Sequence, residues 1–95
     1  MFRLIRTIPV RDEVQTAVYF TIADVHYTVR KFFTDSMHEA NDSGDLDDDS
    51  LVQRMIQVDK MMDCFIKYNY CMDMEGDNVW NIFTVVSADT PIFGE

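Results

Sequence analysis

Residues 12–23 read DEVQTAVYFTIA, and the fold turns on whether this stretch is extended or helical. Val14, Thr16, Val18, Phe20 and Ile22 alternate, which suits a strand over residues 14–22. Asp12 and Glu13 would equally suit the positive end of a helix beginning there. Downstream the pattern changes. Val18, Ile22, Val25, Val29 and Phe32 repeat at 4-3-4-3, which predicts a helix over 24–41. Gly44 follows as a stop just beyond its end.

Upstream, FRLIRTI at 2–8 places Phe2, Leu4 and Ile8 against Arg3 and Thr7, a short strand that Pro9 ends. A second helix is predicted over 51–74, where Leu51, Met55, Val58, Met62 and Phe65 again repeat at 4-3-4-3. At about 1.5 Å per residue it would run roughly 36 Å. Ser50 and Gln53 have the capping-box spacing at its start, and Gly76 could close it. EGDN at 75–78 reads as a turn. VWNIFTVV at 79–86 favours a strand with Val79, Asn81, Phe83 and Val85 on one face. A short helix through Val79, Ile82, Phe83 and Val86 competes with it. Residues 88–95 are a tail with Pro91, Phe93 and Gly94. Phe93 is either a docking contact or tucked against the domain.

The expected architecture is α+β. Two helices, 24–41 and 51–74, pack on a small sheet of two or three strands (2–8, 79–86 and, if extended, 14–22). The 95 residues make one domain, 1–95, with an acidic loop at 42–49. Apolar residues are 47% of the chain and aromatics 13%, too many for a disordered segment. No 18-residue apolar run predicts a membrane span. The opening MFRLIRTIPV lacks the apolar core and cleavage site of a signal peptide.

Cys64 and Cys71 would both lie on the second helix, about 10 Å apart along its axis. That is too far for a disulfide. They also fit its apolar face as small buried thiols. Free thiols point to a reducing, cytoplasmic setting, the host cytoplasm if the chain is viral.

Charge is uneven. Residues 1–34 hold five basic and three acidic side chains, and residues 35–95 hold three basic and fourteen acidic ones, for a net charge of −9. Such a field disfavours direct contact with nucleic acid or an anionic membrane and favours a basic protein partner.

Catalytic and metal signatures are weak. Asp45, Asp47 and Asp49 match the first ligand spacings of a calcium loop. However, Ser50 stands where its glycine belongs and Ile56 where its bidentate glutamate belongs. His26, His38, Cys64 and Cys71 show no zinc spacing, and His26 and His38 read as surface or boundary residues. With only three glycines there is little material for a phosphate loop, and no nucleophile elbow occurs. No cofactor is expected, and the chain does not read as an enzyme.

The acidic residues remain. Asp47, Asp48 and Asp49 suit the start of the second helix. Asp35, Glu39 and Asp42 lie at i, i+4 and i+7 on one face of the first helix, at the end where carboxylates are disfavoured. Asp59 and Asp63 share an arc of the second helix with Val52, Ile56 and Ile66, and carboxylates among exposed apolar groups suit an interface. Side chains at i and i+4 are about 6 Å apart. That pitch resembles successive phosphates on a nucleic-acid strand.

In size, acidity and lack of catalytic motifs, the chain resembles the small acidic inhibitors encoded by bacteriophages. The resemblance lies in composition over the whole chain and carries no residue roles. It implies a host-directed inhibitor, of the anti-defence kind. The charge and the carboxylate rows give the expected target, a basic, nucleic-acid-handling protein, and the expected means, nucleic-acid mimicry. The contacts would be Asp35, Glu39, Asp42, Asp45, Asp47, Asp48, Asp49, Asp59 and Asp63. The alternative is a homodimer or larger homo-oligomer, structural or regulatory, joined through a Met-rich second helix carrying Met55, Met61, Met62 and Met72.

Overall fold

A computed structural model describes residues 1–88; residues 89–95, which hold Pro91, Phe93 and Gly94 of the expected tail, lie outside the described residues. The architecture is α+β: two helices cover one face of a four-stranded antiparallel sheet. In chain order the elements are β1 (Phe2–Ile8), β2 (Glu13–Tyr19), α1 (Ile22–Asp42), α2 (Asp48–Tyr68), β3 (Tyr70–Glu75) and β4 (Asn78–Ser87).

Residues 13–19 resolve the opening ambiguity as strand. A 3-10 turn at Pro9–Arg11 and Asp12, left-handed at φ 50, reverse the chain between β1 and β2. Aspartate tolerates that conformation better than most residues. The side facing the core is the reverse of the one the apolar alternation suggests. Leu4, which is buried, pairs with Ala17, and Phe2 with Tyr19. Residues opposite one another share a face, so Ala17 and Tyr19 look toward the helices. Val14 and Val18 look away, at 62% and 44% exposure.

Helix α1 starts at Thr21, whose Oγ1 accepts from the Asp24 N–H at 3.1 Å, a conventional N-cap. Its buried stripe is Val25, Val29 and Phe33. Helix α2 begins three residues earlier than predicted. Asp47, not Ser50, is the N-cap, accepting the Ser50 N–H at 2.7 Å. That bond holds the Asp47 carboxyl below its ordinary range, because it favours the charged form.

The far end of α2 differs more. The helix stops at Tyr68 and Asn69 takes the left-handed conformation, φ 58, with its N–H on the Phe65 carbonyl at 2.8 Å. Asparagine fills the role that glycine usually plays at a helix end. Residues 70–75, expected as helix, form β3, and Gly76 (φ 59) belongs to the β3–β4 turn. Met72 therefore sits on a strand. Cys71 is in β3 and buried, while Cys64 on α2 is exposed. Met62 lies in the core at 1% exposure, so it cannot form a surface contact.

Both central strands come from the chain ends. β1 pairs with β4 from Phe2↔Ser87 to Thr7↔Ile82. The core gathers Leu4, Val25, Val29, Phe33, Val58, Met62, Phe65, Cys71, Phe83 and Val85. Phe32, Phe33 and Phe83 meet edge to face, with centroids 5.3 to 5.5 Å apart.

The register between β3 and β4 shifts after Asp73↔Asn81, so that Met74 faces Val79 and Trp80 is left without an opposite residue. This is a bulge. It moves Val79 off the face shared by Asn81, Phe83 and Val85, against the strict alternation expected from sequence.

The thiols give a direct check of the α2–β3 boundary. Burial pushes the Cys71 thiol up to about 12, with Asp73 and Cys64 adding to the effect. A thiol reagent at neutral pH is expected to label Cys64 alone in the folded protein and both cysteines in denaturant. Because the folded pKa exceeds the ordinary 9.0, the neutral Cys71 contributes stability that is present below pH 9 and lost as pH rises toward 12. Equal labelling of both thiols under native conditions would contradict the strand assignment of Cys71.

Candidate functional site: an acidic helical tip beside an open hollow

The nine carboxylates singled out from sequence do not form one surface. Two are neutralised within the chain. Lys31 Nζ donates to Asp35 at 2.7 Å, one turn away, and Arg30 donates to Asp59 at 2.8 Å between the helices. The Lys31 ammonium is held above its ordinary pKa, first by its hydrogen bond to Asp35. Both pairs are exposed and contribute little to stability, but each blunts the charge offered to a partner. Asp63 is exposed on α2 near exposed Val52, Ile56 and Ile66.

The structure does bring six together. Glu39, Asp42, Asp45, Asp47, Asp48 and Asp49 are all exposed at the tip where α1 turns into α2. Gly44, at φ 85, supplies the turn. Asn41 locks it, donating Nδ2 to the Leu46 carbonyl at 2.9 Å and to Asp48 at 3.1 Å. Asp45 accepts from Ser43 Oγ at 3.1 Å. No loop of eight residues separates the helices: Asp42 ends α1 and Asp48 begins α2. Asp48 and Asp49 meet the positive end of α2, whereas Glu39 and Asp42 stand at the negative end of α1, which has no basic residue in its last turn. Among the described residues, no ion pair involves any of these six carboxylates.

A hollow of about 390 Å³ opens beside the tip, between the helices and the bulged end of the sheet. Phe32, Met37, Met61 and Trp80 supply apolar walls, and Asp45, Asp73 and Glu75 supply carboxylates. Arg54 also lines it, 3.9 Å from Glu75. Beneath it, a polar row crosses the sheet. Asn81 Nδ2 donates to Asp73 at 2.9 Å, Arg6 Nε donates to Asn81 Oδ1 at 2.7 Å, and Arg6 reaches Gln15 at 3.4 Å. The Arg6 guanidinium also stacks over Phe32, 4.4 Å from the ring centre. Asn81 is the buried member, at 6% exposure.

Sequence reading missed this hollow because its residues come from α1, α2, β3 and β4 and share no spacing. Aspartate at 73 and asparagine at 81, inside apolar strands, were its only local signal.

Among the described residues, no group of three or more potential metal-binding side chains occurs. No helix there is long and apolar enough to cross a membrane. Comparison with known protein families, curated proteins and solved structures found no match.

Proposed function

We propose that this chain is a binding protein that docks its α1–α2 tip on a cationic protein surface. It would thereby block access of that surface to a polyanion such as nucleic acid. The observation that carries this reading is the tip itself: six exposed carboxylates that form no ion pair among the described residues, at the end of a helical hairpin. Carboxylates so placed raise the rate of encounter with a positive surface. The adjacent hollow adds a means of retention. Its apolar walls and acidic rim suit the long stem and cationic head of a partner arginine, with Trp80 available to stack on it. Host-directed inhibition, of the anti-defence kind, is the biological form that the chain's acidity and small size favour.

The test is capture of proteins from a cell lysate at low salt, with heparin as competitor. The expected catch is nucleic-acid-binding proteins that heparin displaces and that elute early in a salt gradient. Neutralising Glu39→Gln, Asp42→Asn and Asp49→Asn together is expected to weaken the captured complex at least about tenfold, equivalent to about 1.4 kcal/mol. None of these three side chains makes a hydrogen bond in the helical hairpin, so the fold should survive. Undiminished binding by the triple variant would refute the assignment of the tip.

A further inference from the structure

The sheet has a second face, which the helices do not cover. Register places Ile5 of β1, Val14 and Val18 of β2, Met72 of β3, and Ile82 and Val86 of β4 on that side. Threonines 7, 16 and 84 lie between them, and Arg3 is the charge there. We propose that a second copy of the chain covers this face, giving a two-fold, sheet-on-sheet dimer. The inference is independent of the proposed function.

Charge decides which faces of two copies can meet. For a chain of net charge −9, approach of two copies through their helices would oppose like fields. The outer sheet face presents no carboxylate among its paired residues. Sheets packed about 10 Å apart, with helices outside them, leave the two acidic layers several screening lengths from each other.

Arg3 adds direction. It lies at the Phe2–Ser87 end of the sheet, whereas Asp12 and Asp77 flank the opposite end, in the β1–β2 and β3–β4 connections. A two-fold axis crossing the strands sets Arg3 of each copy toward that acidic end of the other. An unrelated apolar partner has no such built-in complement.

The area lies near the lower bound for a dimer. Four strands about 4.8 Å apart and seven residues at about 3.4 Å make a patch of roughly 19 by 24 Å. Two copies then bury roughly 900 Å² before side-chain relief is counted, close to the ~1,000 Å² at which specific interfaces begin. Methionine and β-branched side chains at the contact adapt to a facing copy.

Sedimentation equilibrium of the full chain tests this. The expected mass is twice 11.1 kDa. Val18→Glu and Met72→Glu alter exposed positions, at 44% and 38%, so each should remain folded by circular dichroism while self-association weakens at least tenfold. Met55→Glu, on the exposed side of α2, and the triple tip variant should stay dimeric. A monomeric parent overturns the inference. So does a dimer that both sheet variants leave intact, or one that Met55→Glu dissociates. Failure at the tip changes lysate capture and leaves the mass alone, so the two proposals fail separately.

Discussion

Phe65→Ala is expected to destabilise the protein by about 3–5 kcal/mol. Phe65 has 0% exposure at the centre of the core, on the α2 face turned toward the sheet. Its ring meets His26 edge-on at 5.8 Å, and His26 Nε2 is buried without a hydrogen-bond partner among the described residues. Its backbone carbonyl accepts the Asn69 N–H that ends the helix. Truncation therefore opens a void beside an already unsatisfied nitrogen, at the turn that sets β3. A domain of this length has about 5–15 kcal/mol of total stability, so the loss is a large share of it. Chemical denaturation should show a much lower midpoint, and the melting temperature should fall by roughly 15 °C or more. A cost below about 1 kcal/mol would mean that the core does not close around this ring.

Asn81→Leu is expected to be nearly as damaging, at about 2–4 kcal/mol, although it adds apolar volume to a buried site. Leucine neither accepts from Arg6 nor donates to Asp73, so the guanidinium loses its shortest hydrogen bond and the carboxylate loses the Asn81 amide in a half-buried place. The row can be isolated by a double-mutant cycle. Arg6→Met removes the cation that Asn81 satisfies. The double variant should then cost about 1–2 kcal/mol less than the two single costs added together. Strict additivity in urea denaturation would show that the row is not coupled.

Much of the fold was legible because long helices write their period plainly. Val25 and Val29, and likewise Val58, Met62 and Phe65, fell on the faces their spacing required. The strand at 79–86 followed from its β-branched and aromatic content. The boundary at 69 was hidden because methionine and glutamate at 72–75 are good helix formers. There, pairing with β4 overrides local preference. Asn69 was the available clue. Four consecutive capping residues, Asp47 to Ser50, obscured the start of α2, since each can accept from a neighbouring N–H.

For the site, the pairing of Asp35 with Lys31 was readable from their i,i+4 spacing. The Arg30–Asp59 bridge was not, because it depends on how the helices cross. Alternation in β2 was visible, but which side met the helices depended on register with β1.

The central pairing of β1 with β4 has a consequence for synthesis. Strand β1 waits for β4, so the sheet cannot close until residue 87 has left the ribosome. Meanwhile the β1–β2 hairpin and both amphipathic helices are exposed together on the nascent chain, a period in which chaperones can bind. Emergence of β4 should therefore time the appearance of the native sheet, and a stalled chain lacking β4 should be a preferred target for proteolysis.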